Sequence, residues 1–534
     1  SLIGVPVSPF PRWMRCPYCN LLSPIPSPLF ELKSDPYYPE RTKYVHVNCR
    51  RPGKPPTVLP ARFLVACENG HIDDFPWLYY VHGGPSPCRG PLQLREIGVS
   101  GAASDILIEC EGCDTSRSMA QAFEKNQGSN FPACRGRHPH IRHSSEKQCM
   151  ASVQPITLGA SNNWFPSTIT VLSIPSGKGD LSQIVEQYWS DLSTITSKEF
   201  LQSIRQMPMF KIKCRELIGY SDDDLWAEIQ KRKQPIHLQE TDTVPDLKTP
   251  EWEVFSNPDP SFNSKLLRLR AIDPPETYKR FLKKVVLVER LREVGALIGF
   301  TRIESSDALS DLQNQDLSRR VPLSRKPPAW LPVSVIRGEG IFLQFNEDTL
   351  QAWEQEKTSQ ERESEFFGAH CGWRTSRNLA PDVGFPGIRY ILLHSFSHAL
   401  MRQFALECGY TAASIRERIY SSKPGGNTDS MAGVLIYTAA ADSEGTLGGL
   451  VSLGKPHNLG RHIAQALEQI RICTSDPLCA EHRPTRQGVT LHGASCHACL
   501  FSPETSCEKG NRYLDRALLV RTFGSEILPF FKME

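Results

Sequence analysis

The sequence predicts a multi-domain protein of mixed α+β (α/β) structure, with N-terminal zinc-ribbon-like modules, a mainly helical middle and a C-terminal α/β domain that ends in a four-cysteine zinc module. Three observations indicate this class. The 534 residues exceed what one ordinary core organises. Cys-x-x-Cys pairs recur towards both ends, and short apolar runs alternate with amphipathic patterns between them. We place the domains at 1–175, 176–365 and 366–534.

The composition indicates a folded protein without a membrane span and predicts the cellular compartment in which it works. Hydrophobic residues make up 40% and charged residues 22% of the chain, as in a folded protein. No run approaches the ~18 apolar residues that a membrane span needs. Seventeen cysteines with repeated Cys-x-x-Cys pairs favour metal binding over disulfides in so long a chain, which predicts a reducing, cytoplasmic location.

The net charge of +3 does not indicate nucleic-acid binding. A zinc ion held by four thiolates carries about −2, so three such sites would bring the chain to roughly −3. Only local basic segments therefore remain as candidate phosphate contacts.

Residues 1–175 contain two predicted zinc modules. Cys16-x-x-Cys19 is a zinc-ribbon half-site, and Cys49 and Cys67 are its predicted closing pair, with His71 as the alternative to one of them. A second knuckle follows the strand pattern Ile106–Glu109. Its predicted ligands are Cys110, Cys113, Cys134 and Cys149, with Cys88 as a spare candidate.

Two charged features flank these cysteines. Asp73 and Asp74 suit the N-cap of an aromatic helix beginning near Pro76, which we favour over a catalytic metal site. The loop between Cys134 and Cys149 is the densest basic segment of the chain. Its candidates for phosphate contact are Arg135, Arg137 and Arg142, and a solvated loop is the alternative interpretation.

The middle region, 176–365, carries amphipathic helical patterns. The longest spans 275–297, with apolar residues on one stripe and lysines opposite. Lys283 and Lys284 on that polar face are candidate DNA contacts, although such a charge run is more often a solvated helix face.

Residues 366–534 predict an α/β domain with a helix over 387–407 and a buried strand over 431–438. A further helix over 457–471 leads to five cysteines. A tight knuckle among them, Cys496-x-x-Cys499, is typical of tetrahedral zinc. The others are Cys473, Cys479 and Cys507.

His394 and His398 lie four residues apart on one helix face. A core or polar-network role is favoured, because Ser395 stands where a metalloprotease helix has glutamate. The alternative is a metal-dependent nuclease that uses this pair with Asp442 or Glu444. The sequence lacks a Walker loop, an Asp-Glu-x-His box and a Gly-x-Ser-x-Gly elbow, so we expect an accessory protein rather than an enzyme.

Several stretches together resemble one family: 66–77, 159–166, 445–450, 475–479, 494–500, 504–508 and 511–516. They are similar to the helicase-associated zinc-binding domain at the C-terminus of some superfamily 2 DNA helicases. That domain also occurs in a stand-alone protein of the bacterial anti-phage system DISARM. The resemblance covers 366–534 most clearly, and its N-terminal motifs favour the stand-alone form.

The resemblance implies a partner, the helicase DrmA, and joint binding of DNA with a single-stranded end during restriction of phage DNA. It also implies that one zinc is held by Cys479, Cys496, Cys499 and Cys507, which leaves Cys473 over. With the two N-terminal modules, we expect three structural zinc ions.

Overall fold

Short antiparallel strands are the main regular elements of the first of two units into which the chain divides. A computed structural model describes residues 7–532 except 99, 125–130, 146, 175–180, 234–245, 261–262, 304–318, 327–329, 378, 425–429, 439–448 and 486–489. Unit 1 comprises Ser1–Thr168, Leu297–Ser306 and Asp316–Pro332, and unit 2 comprises Ile169–Ala296, Asp307–Gln315 and Val333–Glu534. The predicted mixed α+β, multi-domain class is confirmed.

Unit 1 is organised by a sheet of short strands. Its strands are β1 Trp13–Arg15, β2 Leu21–Pro24, β3 Phe30–Lys33, β4 Lys43–His46, β5 Leu59–Pro60, β6 Phe63–Cys67, β7 Ile72–Asp74, β8 Leu92–Glu96, β9 Ile106–Cys110, β10 Ser116–Ser118, β11 Arg137–His138, β12 His143–Ser144 and β13 Val153–Thr157. An α-helix, α1, spans Trp77–Val81. The larger sheet has the order β10-β9-β8-β2-β1-β5, and a smaller one has the order β13-β6-β7.

The acidic pair at the end of β7 binds arginines and does not cap α1. The capping position of α1 is a proline with no side-chain capping hydrogen bond. Asp73 accepts hydrogen bonds from Arg135 and Arg137, each at 2.6 Å, and Asp74 accepts one from Arg12 Nε at 3.1 Å. The predicted cap is therefore wrong, because guanidinium groups hold both buried carboxylates.

Unit 2 combines a long-stranded sheet with most of the helices. Its strands are β14 Phe165–Leu172 (residues 169–172 belong to unit 2), β15 Arg268–Ile272, β16 Leu282–Thr301 (residues 282–296 belong to unit 2), β17 Val333–Phe345, β18 Ile415–Ser422 and β19 Met431–Thr438. Its helices are α2 Leu181–Gln187, α3 Trp189–Leu192, α4 Lys198–Gln206, α5 Pro208–Lys213, α6 Asp222–Lys233, α7 Lys248–Ser256, α8 Glu347–Glu354, α9 Lys357–Thr375, α10 Gly387–Cys408, α11 Gly449–Leu453 and α12 Pro456–Gln469. The sheet has the order β14-β16-β17-β19-β18, with β15 paired to β16.

The predicted helix over 275–297 is wrong, because most of this segment is strand β16. Val285 and Leu287 point into one core, while Val286 and Val288 point into a second core on the other face of the sheet. A strand buried on both faces reads as a continuous apolar run, which periodicity does not separate from a buried helix. The β-branched valines favour the strand.

Helix α10 runs through the larger core of unit 2 and is buried on every side. Most residues from Ile388 to Phe404 are buried, including His394 and His398, which are 0% exposed. The predicted helix over 387–407 and the predicted strand over 431–438 are both confirmed. Within the described residues, no helix combines the length and the apolarity that crossing a membrane requires.

Buried ion pairs link the elements of unit 2. Arg418 on β18 donates through Nε and a terminal nitrogen to both oxygens of Glu251 on α7, and the hydroxyl of Tyr420 donates to the same carboxylate at 2.9 Å. The side chains of Arg418 and Glu251 are 3% and 2% exposed. Removal of one partner would leave the other charge buried without compensation.

We expect Arg418→Met to lower the free energy of unfolding by about 3–5 kcal/mol, because Glu251 would stay buried without its cation. Urea denaturation followed by circular dichroism measures the loss. As a control, Arg268→Met removes an arginine whose side chain is 62% exposed in its pair with Glu289, and it should cost less than about 1 kcal/mol. Equal losses in the two variants would contradict the buried-pair argument.

Candidate metal centres

Among the residues that the structure describes, five groups of side chains bring potential metal ligands within 4.8 Å of one another. Clusters 1 to 3 belong to unit 1, and clusters 4 and 5 to unit 2. Cluster 1 is Cys16, Cys19, His46 and Cys49; cluster 2 is Cys67, His71, Cys134 and Cys149; cluster 3 is His82, Cys88, Cys110 and Cys113; cluster 4 is Cys473, Cys479, Cys496 and Cys499; cluster 5 is His394, His398, Glu417 and Cys507.

Cluster 1 joins a knuckle to the end of a hairpin. Cys16 and Cys19 follow β1, and Asn20 turns the chain with φ of 60° so that its N–H donates to the Cys16 carbonyl at 2.9 Å. His46 ends β4, and its Nδ1 lies 3.5 Å from Cys19 Sγ. Cys49 Sγ lies 3.8 Å from Cys16 Sγ. Two half-sites with the same x-x spacing therefore face each other.

Cluster 2 is buried throughout and is closed by strand pairing. Cys67 ends β6, and Val153 of β13 lies opposite it in the antiparallel register. This register places the nearby Cys149 beside Cys67, with the sulfur atoms 3.9 Å apart. His71 Nδ1 lies 3.3 Å from Cys67 Sγ, and its Nε2 contacts Ser145 Oγ at 2.8 Å. A polar partner on the second ring nitrogen is typical of metal-binding histidines.

The tight turn between Cys67 and His71 requires glycine at position 70. Gly70 has φ of +76°, and a Cβ there would lie 2.1 Å from Val321 Cγ2. Its N–H donates to the Cys67 carbonyl at 2.9 Å. The turn thus brings a sulfur and an imidazole four residues apart to one point.

Strand pairing also brings the cysteines of cluster 3 together, as it does in cluster 2. Cys110 ends β9, and Leu92 of β8 lies opposite it, so the chain before β8 brings Cys88 Sγ within 3.5 Å of Cys110 Sγ. His82 donates from Nδ1 to the Leu78 carbonyl at 2.6 Å. Its Nε2 is buried and has no hydrogen-bond partner among the described residues. A bound cation would satisfy this nitrogen.

Cluster 4 consists of four sulfur atoms around the C-terminal knuckle. Cys473 Sγ lies 3.5 Å from Cys496 Sγ, and Cys479 Sγ lies 3.6 Å from Cys499 Sγ. The Cys496 N–H donates to Cys499 Sγ at 3.2 Å. A tetrahedral zinc with bonds of about 2.0–2.3 Å separates its ligand atoms by roughly 3.3–3.8 Å. The sulfur–sulfur distances quoted for clusters 1 to 4, from 3.5 to 3.9 Å, lie in or just above this range.

Three thiols in unit 1, those of Cys16, Cys113 and Cys134, have a pKa lowered towards the thiolate form that metals bind. Hydrogen bonding with Cys67 lowers the pKa of Cys134 to about 4, against the opposing effect of burial. Hydrogen bonds from the side chain and backbone of Thr115 lower the pKa of Cys113 to about 6. Thiolate is the form that coordinates zinc.

The structure groups the predicted cysteines differently from the sequence analysis. In unit 1, Cys16, Cys19 and Cys49 do meet, but His46 stands where Cys67 was predicted. Cys67 instead meets His71, Cys134 and Cys149, which separates the latter two from Cys110 and Cys113. His46 and His82 are additional members. His46 could have been found from the sequence, because His46-Val-Asn-Cys49 has the same two-residue spacing as the Cys16-x-x-Cys19 knuckle.

In unit 2, Cys473 and not Cys507 lies with Cys479, Cys496 and Cys499. Cys507 lies with His394 and His398, its Sγ 3.1 Å from His394 Nε2. The nuclease interpretation also involved Asp442 and Glu444, which lie outside the described residues. The two histidines contact the buried carboxylate of Glu417.

The predicted basic loop is partly neutralised. Arg135 and Arg137 share the carboxylate of Asp73. Arg142 is exposed, and its Nε donates to Ser8 Oγ at 3.1 Å. Of the three arginines, Arg142 is therefore the best placed for a phosphate.

The two predicted lysines lie on strand β16 and not on a helix. Lys283 is exposed. Lys284 is partly buried, its ammonium donates to the Ser256 carbonyl, and burial lowers its pKa. Of the two lysines, only Lys283 has the exposed charge that a candidate DNA contact requires.

Comparisons with known proteins place these clusters in a family. A family model described as "Domain of unknown function (DUF8724)" matches residues 2–165, and one described as "MrfA Zn-binding domain" matches residues 396–500. The second match contains all four cysteines of cluster 4, whereas His394 and Cys507 lie outside it. A curated protein of Bacillus paralicheniformis, "DISARM protein DrmB", is 31% identical over 99% of this chain and 91% of its own length.

The chain belongs to the DrmB family. Its C-terminal part contains the zinc-binding domain that carries the MrfA name. A solved structure, the DUF1998 helicase MrfA bound to DNA, matches 46% of this chain and 23% of its own chain. The identity there is 12% and the TM-score 0.19. The DrmB-family assignment rests on the full-length relative alone.

We expect Cys473→Ser to lose one equivalent of zinc per chain, because it removes one of the four sulfur ligands of cluster 4. Metal analysis of the purified, folded chain measures this loss. Cys371→Ser is the matched control, since Cys371 is a partly buried cysteine of α9 outside the clusters. Unchanged zinc content in the Cys473 variant would show that Cys473 is not a ligand.

Proposed function

We propose that this chain is a non-catalytic, zinc-stabilised accessory subunit that binds DNA together with a helicase in anti-phage defence. The observation that carries the proposal is the 31% identity with a DISARM DrmB protein over nearly the whole chain. The zinc-binding domain match and the cysteine clusters support the zinc part. The helicase DrmA is the proposed partner and would supply the motor.

Zinc would act structurally in unit 1. The described strands there are two to five residues long, and β1, β4, β6 and β9 end at or next to a ligand of clusters 1 to 3. Loops with little apolar surface gain stability when a metal ties them together, since metal binding contributes its free energy only to the folded form. Rigid loops in turn hold basic side chains in a fixed arrangement.

A cleft in unit 1 combines basic and aromatic side chains, which supports a DNA contact. Its lining includes Phe10, Arg12, Tyr44, Arg137, Arg142 and His143. Among the described residues that line it, none is acidic. Guanidinium groups bind phosphates and aromatic rings stack on bases, a combination typical of single-strand binding.

The loop that presents Arg142 is braced by a second arginine. Arg325 donates to the carbonyls of Ile141 at 2.6 Å and Arg142 at 3.0 Å. Arg142 pairs with a hydroxyl rather than a carboxylate among the described residues, so its charge remains available. We therefore assign Arg142 as the leading phosphate contact of the cleft.

A nuclease that uses His394 and His398 is not favoured. Both side chains are 0% exposed and lie inside the core of unit 2. A catalytic metal needs an open position that substrate and water reach. The described surroundings of these histidines leave no such access.

The proposal predicts that adding this chain to the helicase tightens binding to a duplex with a single-stranded end. It also predicts a steeper fall of affinity with salt, because each added phosphate contact releases counterions. Fluorescence anisotropy between 50 and 200 mM salt, with and without the chain, measures both. An unchanged salt slope would contradict DNA contact, and DNA cleavage by the isolated chain with divalent metals would contradict a non-catalytic role.

Within that complex, we expect Arg142→Asn to weaken DNA binding and to reduce the salt slope by about 1, as loss of one phosphate contact should. Asparagine is chosen because position 142 has φ of 49°, a conformation that asparagine tolerates. Lys357→Gln removes an equal charge from an exposed residue of unit 2 and serves as control. Equal effects in the two variants would show a general charge effect and no contact in the cleft.

A further inference from the structure

We propose that cluster 5 is a mixed-ligand metal centre that holds a divalent zinc-type cation inside unit 2. Its donor atoms are two imidazole nitrogens, a carboxylate oxygen and a thiolate. It is separate from the thiol-rich clusters, and it requires neither DNA nor the helicase. Its failure and the failure of the proposed function are therefore distinguishable.

The ligands come from three parts of unit 2 that meet at one point. His394 and His398 lie four residues apart on one face of α10, Glu417 lies on β18, and Cys507 follows the turn Glu504–Ser506. All four residues are buried, and the side chains of the histidines and the glutamate are 0% exposed.

The distances between the donor atoms approach those of a tetrahedral site. His394 Nε2 lies 2.9 Å from Glu417 Oε1 and 3.1 Å from Cys507 Sγ, and His398 Nε2 lies 3.3 Å from the same glutamate oxygen. Ligands of one zinc ion are separated by roughly 3.3–3.8 Å. Small outward shifts of these side chains would therefore complete the coordination.

The second ring nitrogens fix the histidines in the orientation that metals use. His394 Nδ1 lies 3.1 Å from the Tyr513 carbonyl, and His398 Nδ1 lies 2.8 Å from the Leu500 carbonyl. A carbonyl only accepts, so each Nδ1 carries the proton and donates it. If both rings are neutral, the lone pairs of the two Nε2 atoms face the glutamate oxygen and repel it. A cation bound between the nitrogens and the oxygen would attract all three atoms.

The surroundings of the Cys507 sulfur and the Glu417 carboxylate also suit metal ligands. Backbone N–H groups of Lys509 and Asn511 donate to Cys507 Sγ at 3.4 and 3.2 Å, so this sulfur is held as an acceptor beside the two histidines. Glu417 Oε2 is buried and has no hydrogen-bond partner among the described residues. An unpaired carboxylate oxygen in an apolar core is costly, and a metal ion would compensate it.

The donor set selects the class of cation. Imidazole and thiolate favour zinc and cobalt over magnesium and calcium, which prefer oxygen ligands. Four protein ligands in a closed core leave no position for substrate, as in structural sites. The centre would thus fasten α10 to β18 and to the segment that contains Cys507.

The test counts metal ions in the full-length chain. We expect His398→Gln and Cys507→Ser each to lose one equivalent per chain relative to the wild type, and His398→Cys to keep it, because cysteine also binds zinc. His462→Gln is the control, since His462 is equally buried, on α12, and outside the clusters. Unchanged metal content in folded His398→Gln and Cys507→Ser would overturn the proposal. The four side chains would then be held together by hydrogen bonds through bound protons and not by a metal ion.

A measurement on the wild type decides the question if these variants fail to fold. Substitution with ¹¹³Cd gives each centre its own resonance, and replacing sulfur ligands with nitrogen and oxygen moves that resonance upfield. A single resonance well upfield of those from the sulfur-rich clusters supports the proposal. Resonances from sulfur-rich sites alone would overturn it.

Discussion

Antiparallel strand register determines which sulfur atoms meet in unit 1. Val153 lies opposite Cys67 and Leu92 lies opposite Cys110. In both cases the chain just before the paired strand brings another cysteine to the end of its neighbour. The ligand sets of clusters 2 and 3 thus follow from the sheets, and the sheets in turn end where these ligands converge. Strand pairing and metal coordination would stabilise each other.

Local patterns could be predicted, and long-range ones could not. The knuckle pairs of the sequence, the strand over 431–438 and the helix over 387–407 depend on near neighbours, and all are present in the structure. The pairing of one metal half-site with another depends on the register between strands that are distant in sequence. The spacing of cysteines along the chain does not contain this information. The resemblance to the helicase-associated zinc-binding domain placed Cys507 with the nearby knuckle, whereas the fold places it beside α10.

The errors elsewhere have equally physical causes. Strand β16 is buried on both faces, so the alternation that marks a strand is hidden by a continuous apolar run. Asp73 and Asp74 stand where a helix cap is expected, yet arginines distant in sequence bind them. That pairing also explains why only part of the basic loop remains available for phosphates. A sequence reports the charge of a residue but not its distant partner.

Cluster 3 is nested within the chain segment that cluster 2 closes. His71 and Cys134 of cluster 2 are 63 residues apart, and residues 82–113 between them are already tied together by cluster 3. Loop-closure entropy grows with the logarithm of loop length, at about 0.6 kcal/mol per doubling. Metal uptake by cluster 3 would roughly halve the free loop and so favour cluster 2 by a similar amount. The order of assembly in unit 1 would then run from the inner loop outward.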